Sequence, residues 1–137
     1  IRDFQMLVDA GTPATGLVSG QSFSLRFVAE AFAPISSPIY AMTIRDSKGQ
    51  EIYGQNTYFA DVPTEDLEAG DQVVVQFQQC LNLGPGEYLI SLGFTRIDGE
   101  RLQVIHRRYD ALQVTVYGTD GSFGIANCFS RITCLKR

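Results

Sequence analysis

Catalysis needs a nucleophile, a base or a metal at a workable spacing, and this sequence is thin in all three. His106 is the only histidine, in Val104-Ile105-His106-Arg107-Arg108, so any Ser-His-Asp or Cys-His arrangement would depend on it alone. Two arginines beside it disfavour its protonation, and it reads as a structural or surface histidine. A three-histidine metal site is excluded by count. Oxygen ligands are present in residues 61–71, which carry Asp61, Glu65, Asp66, Glu68 and Asp71. Their spacing lacks the Asp-x-Asp-x-Asp-Gly register that wraps calcium, so this stretch reads as a solvated loop. No strand-like segment places an acid in the middle of a polar face, which argues against paired carboxylates for glycoside hydrolysis. Neither Gly-x-x-x-x-Gly-Lys-Ser/Thr nor Gly-x-Gly-x-x-Gly occurs, so this piece holds no phosphate loop. The expectation is a non-enzyme with no cofactor and no metal.

What remains is a binding surface. If Tyr40, Met42 and Ile44 face the core, Ala41, Thr43 and Arg45 face out; if Tyr88, Ile90, Leu92 and Phe94 face in, Ser91, Gly93 and Thr95 face out. These outward residues are mostly small, so two such strands side by side would form the floor of a shallow trough. Flanking strands would add Tyr53 and Gln55 on one side and Gln103 and Arg107 on the other. Aromatic rings, amides and guanidinium suit a sugar: the ring's apolar face stacks, and its hydroxyls take paired hydrogen bonds. The expected carbohydrate-binding residues are therefore Thr43, Arg45, Tyr53, Gln55, Ser91, Thr95, Gln103 and Arg107. A face bearing Arg26, Gln76 and Gln78 is the rival, because a register slip of one residue exchanges inside and outside.

The elements that must position these residues are strands. Residues 83–88, Leu-Gly-Pro-Gly-Glu-Tyr, form a tight turn into an alternating strand, resembling the tyrosine corner of Greek-key sandwiches. Residues 2–8 read as a first strand ending at the breaker cluster Asp9-Ala10-Gly11-Thr12-Pro13. Residues 22–30 alternate Phe23, Leu25, Phe27 and Ala29 against Ser24, Arg26 and Glu30. Residues 39–46 and 51–59 make a hairpin around Gly49, and a single helical turn is expected near residues 64–67. Residues 71–81 alternate again. Asp98-Gly99 turns the chain into residues 101–107, and residues 109–117 either continue that strand past a bulge or form a new one. The pattern is all-β: an immunoglobulin-like antiparallel β-sandwich of about seven to nine strands.

The chain of 137 residues is one domain by length. Its formal charge of −4 offers no basic surface to nucleic acid. No apolar run reaches the length of a membrane span, and no charged-then-apolar leader is seen. Cys80, Cys128 and Cys134 are an odd set without zinc spacing and are expected as reduced, buried thiols. A Cys128–Cys134 bridge would require export or a local reversal of the chain. Residues 1–117 form the sandwich body. Residues 118–137 are a glycine-rich hinge and a C-terminal strand with Phe123, Ile125, Phe129, Ile132 and Leu135, which has no evident slot at home. That leaves either a tail packed on its own domain or a strand exchanged within a dimer.

The order of features is similar to one family. Ile39-Tyr-Ala-Met-Thr-Ile-Arg-Asp-Ser-Lys-Gly-Gln-Glu-Ile-Tyr-Gly-Gln-Asn-Thr57, then residues 83–88, then the strand holding Val114, resemble the C-terminal domain of Wzt-type nucleotide-binding subunits of O-antigen polysaccharide ABC exporters. The most specific run is Asp-x-x-Gly-x-x-Ile-Tyr-Gly-x-Asn-Thr at residues 46–57. The resemblance implies a homodimer, with a C-terminal strand that can be swapped, and an ATPase domain upstream of Ile1. It implies a place at the cytoplasmic side of the inner membrane with a transmembrane exporter subunit, and recognition of the modified non-reducing end of a lipid-linked O-antigen polysaccharide. It supplies no sugar-contact motif. The alternative is a structural or dimerisation sandwich that docks a protein partner without binding glycan.

Overall fold

Period-two alternation builds the body of the molecule, a computed structural model that describes residues 1–9 and 11–137; Ala10, within the breaker cluster, lies outside the described residues. The strands are β1 (Arg2–Val8), β2 (Thr12–Pro13), β3 (Gly16–Val18), β4 (Ser22–Glu30), β5 (Ile39–Asp46), β6 (Glu51–Asn56), β7 (Gln72–Cys80), β8 (Gly86–Asp98) and β9 (Arg101–Tyr117). They form two sheets, ordered β2-β1-β4-β7 and β3-β9-β8-β5-β6. Every pairing is antiparallel except β3 with β9. The all-β sandwich expected from the sequence is the fold observed.

The core lies between the sheets. Phe23, Leu25, Phe27 and Ala29 of β4 face Met42 and Ile44 of β5 and Tyr88, Ile90, Leu92 and Phe94 of β8, all buried in one cluster. Tyr40 stacks on Phe94 with ring centroids 5.4 Å apart. Burying side chains of this size contributes about 1.5–3 kcal/mol each. The corner before β8 is tied as the sequence suggests, since the Tyr88 hydroxyl donates to the Gly84 carbonyl at 2.7 Å. Burial, with a smaller push from Asp46, raises the pKa of that phenol.

Several local expectations are corrected. Residues 64–67 form no helical turn. Leu67 is buried and bridges to Ile35 through two backbone hydrogen bonds of 2.8 Å, and these outweigh an isolated turn, whose nucleation is costly. β6 ends at Asn56, three residues before the expected Phe59. Of the two readings of residues 101–117, the observed one is a single strand continued past a bulge. β2 and β3, the latter parallel to β9, were not legible, being two and three residues long. The three cysteines are free but exposed rather than buried, because Cys80 falls on the outer face of β7 and the other two lie in the tail.

The acidic loop is accounted for by backbone capping. Asp66 Oδ1 accepts from the Ser37 amide at 2.8 Å and Asp71 Oδ2 from the Glu68 amide at 2.8 Å. Within this single chain the tail holds no strand. Ala126 bridges to Leu83, Asn127 is buried with its side-chain amide donating to Ser19 Oγ at 2.8 Å, and residues 128–137 are exposed.

Candidate functional site

The outer face of the five-stranded sheet holds the trough expected from the sequence. β5 pairs with β8 in the register Thr43–Ser91, Ala41–Gly93 and Ile39–Thr95, so small side chains meet side by side in the first two pairs. The floor is close-set: a Cβ built on Gly93 would lie 3.3 Å from the Ala41 Cβ. Thr95 is only 3 % exposed. The result is a groove of about 880 Å³ lined by Ala41, Thr43, Ser91, Gly93 and Thr95 below and by larger residues at the sides.

One wall comes from the segment after β6. Asn56 Oδ1 accepts from the Phe59 amide at 2.7 Å, the Ala60 amide donates to the Asn56 carbonyl at 3.1 Å, and the Val62 amide donates to the Thr57 carbonyl at 2.9 Å. Thr57 is itself fixed to β5, its hydroxyl accepting from the Tyr40 amide at 3.1 Å. This knot presents Tyr58 and Phe59, 60 % and 79 % exposed, with ring centroids 6.0 Å apart. Such exposure of large aromatics beside a concave floor marks a contact surface.

The other wall is β9. Arg107 lies opposite Gly93, and its Nη1 donates to the Tyr109 hydroxyl at 3.4 Å. Between the pairs Ile90–Leu112 and Leu92–Arg108, β9 carries extra residues opposite Ser91. Asp110 there has φ of +50°, and its amide donates to Ser91 Oγ at 2.9 Å. The bulge re-aims Tyr109 and Asp110 towards the groove. Asp110 forms an ion pair with Arg45, and hydrogen bonding to that carboxylate raises the Arg45 pKa above its ordinary value.

Of the eight expected residues, Thr43, Arg45, Ser91, Thr95 and Arg107 are brought together in this groove. Three are placed elsewhere. Thr43 pairs with Gly54 and Ala41 with Asn56, so Tyr53 and Gln55 lie on the opposite side of β6, with Ile44 and Met42. Gln103 is also displaced. Phe94 pairs with His106 but Thr95 with Val104, so Ile105 is an extra residue that inverts the alternation below it. Gln103 consequently sits beside Arg96, accepting from its Nε at 2.7 Å, and Leu102 takes its place in the groove. Tyr58, Phe59 and Tyr109 were missed. The adjacent aromatic pair directly after Asn56-Thr57 was the available signal.

His106 is on the core side of β9, opposite Phe94. Burial first, with Arg108 adding to it, lowers its pKa from the ordinary histidine value. Arg108, next on that side, stacks over Phe4 at 5.0 Å. No cluster of three or more metal-ligating side chains is found among the described residues, and no helix is long and apolar enough to cross a membrane.

The Wzt C-terminal domain family profile matches residues 1–128. The chain belongs to this family. It is also similar to a solved structure described as the crystal structure of the C-terminal domain of Wzt, with a TM-score of 0.86 and 22% identity, over 97% of this chain and 81% of that one; at that identity the likeness speaks for the fold. No curated protein matches the chain. The run from Asp46 to Thr57 that carries the resemblance has a structural role here. Asp46 Oδ1 accepts from the Lys48 and Gln50 amides at 2.9 Å each, and Asn56 and Thr57 fix the aromatic wall.

Proposed function

We propose that this domain is a non-catalytic module that binds the modified non-reducing end of a lipid-linked O-antigen polysaccharide in the β5–β8 groove and couples that recognition to export. The observation that carries the reading is the groove itself: a floor of hydroxyls and small residues between an aromatic wall, Tyr58 and Phe59, and a wall of Arg107 and Tyr109. Sugar rings stack on the aromatics, and their hydroxyls find donors and acceptors in Thr43, Ser91, Thr95 and Arg107. Family membership supports the wider setting, an ATPase domain in the same protein and a transmembrane exporter subunit at the cytoplasmic side of the inner membrane.

The test is titration of the domain with O-polysaccharide from the producing cell, before and after removal of the non-reducing terminal residue. Binding of the intact polymer alone supports the reading; a folded protein that binds neither form refutes it.

A second reading concerns self-association. Phe123, Ile132 and Leu135 are 95 %, 87 % and 88 % exposed, which favours a homodimer in which one copy's tail is covered by the other, by exchange or edge addition. Deleting residues 130–137 should then turn a dimer into a monomer in analytical ultracentrifugation. An unchanged sedimentation coefficient per unit mass would exclude the tail from the interface.

A further inference from the structure

The two halves of the groove differ in chemistry. Towards the β5–β6 turn lie Thr43, which pairs with Ser91, then Arg45 and Glu51. Arg107 stands midway, opposite Gly93. Arg45 and Arg107 are the two cations of the lining among the described residues, and neither reaches into the other half. Towards the β8–β9 turn the side chains change. Thr95 pairs with Ile39 on one side and Val104 on the other, and two residues on, Ile97 pairs with Leu102. Paired residues share a face, so Val104 and Leu102 stand on the groove side of β9 with Thr95 and Ile97.

The aromatic wall belongs to this second half. β6 ends at Asn56, opposite Ala41, and the chain runs on to Thr57, whose amide donates to the Tyr40 carbonyl at 3.0 Å. Tyr58 and Phe59 therefore come level with Ile39 and Thr95, across the floor from Leu102. Ile97 and Leu102 are 40 % and 57 % exposed. Apolar side chains exposed together on both sides of a concave floor mark a contact surface. Thr95 is the hydroxyl between them, and Glu100 lies beyond, at the turn.

A fully hydroxylated sugar does not match that half. Its ring stacks on Tyr58 and Phe59, but a hydroxyl turned towards Ile97 and Leu102 would give up its water partner without replacement, which is costly. A methyl group in the same place is favoured, because it removes apolar surface from water. An acetamido group would carry an amide N–H and a carbonyl into a space where Thr95 offers one hydroxyl.

We propose that this half of the groove selects 6-deoxyhexose residues of the glycan. The C6 methyl lies between the Ile97–Leu102 pair and Phe59, while the ring hydroxyls reach Thr43, Ser91 and Arg107. The selection concerns the kind of sugar, wherever in the polymer that residue stands. It rests on the proposed function, since it names the sugar class for the same groove.

The test is displacement of O-polysaccharide of the producing cell from the 137-residue chain by matched methyl glycosides that differ only at C6. Rhamnoside is set against mannoside and fucoside against galactoside, each in the D and L series. In at least one pair the 6-deoxy member should displace at a concentration about tenfold lower. That is short of the roughly 100-fold by which an apolar pocket rejects an added hydroxyl, because this groove is open to water. Ile97→Thr and Leu102→Thr, made together, bring hydroxyls to the apolar wall and keep residues that suit a strand. Both positions are partly exposed, so the double variant is expected to fold, as a melting curve verifies. In it the members of that pair should displace within about twofold of each other. Equal displacement by both members of every pair overturns the selection, and so does a preference that survives the double variant. Polysaccharide that binds but is displaced by none of the glycosides also overturns it, and leaves the proposed function standing. A folded protein that binds no polysaccharide refutes both.

Discussion

The two sheets present outer faces built from the same alternation, yet only one is a groove. On the four-stranded sheet, Ser24 pairs with Gln78 and Arg26 with Gln76, a mostly long and polar set in which Gln76 Nε2 donates to Ser24 Oγ at 3.4 Å. That face has a depression of about 660 Å³ lined by Ser24, Arg26, Gln76 and Gln78 and by no aromatic except the core residue Phe23. On the five-stranded sheet, Ala41, Gly93 and Ser91 leave the floor low, and the walls come from places where alternation fails, a capped turn after β6 and a bulge in β9. The lesson is that a sheet face becomes concave through its small residues and is walled by its irregularities. Amides and an arginine on a regular strand make a solvated surface.

The difference can be broken from the floor. Gly93→Val should raise the floor into the ligand's space and weaken O-polysaccharide binding about 100-fold, comparable to a badly filled pocket. Its Cβ has only 3.3 Å to the Ala41 Cβ, so a stability loss of about 1–3 kcal/mol should accompany it. Calorimetric titration and thermal melting separate the two effects. The matching change on the other face, Arg26→Ala, should leave affinity unaltered.

The walls come next in size. Phe59→Ala or Tyr58→Ala should each weaken binding about three- to tenfold, the 0.5–1.5 kcal/mol typical of an aromatic contact, with little change in melting temperature. A smaller and indirect effect is expected from Asn56→Ala, which removes the acceptor of the Phe59 amide. It should cost about 1 kcal/mol of stability, as loss of a cap does, and weaken binding about threefold, whereas Asn56→Asp should retain both. An affinity untouched by Asn56→Ala would mean that the aromatic wall holds its shape without that cap.

The smallest effect belongs to His106, outside the groove. Its pKa is depressed in the folded state, so its contribution to stability is present above pH 6.5 and is lost as pH falls through the folded value. The melting temperature should fall slightly between pH 7.5 and 5, less so in His106→Gln, while affinity stays flat between pH 6.5 and 8. A bell-shaped affinity profile lost in His106→Gln would move this histidine into the site.

Regular alternation made the fold readable, and its interruptions hid the site. Phe23 to Ala29, Tyr40 to Ile44 and Tyr88 to Phe94 announce buried faces, and the last two turn Thr43, Ser91 and Thr95 to the outer side of their sheet. Tyr53 and Gln55 went to the wrong side because cross-strand register depends on the β5–β6 turn, which pairs Arg45 with Glu51 after an irregularity. Gln103 was misplaced by the single extra residue Ile105. Arg45 was found but its partner was not, because Asp110 lies 65 positions away and reaches it only through a bulge that no local pattern declares.

Ligand bound on the β5–β8 face should be visible in amide chemical-shift mapping of the isotope-labelled domain during O-polysaccharide titration. Shifts are expected at Thr43, Ser91, Gly93, Phe59 and Tyr109, with Arg26, Gln76 and Gln78 unmoved. Shifts confined to the latter three would place the ligand on the four-stranded sheet instead.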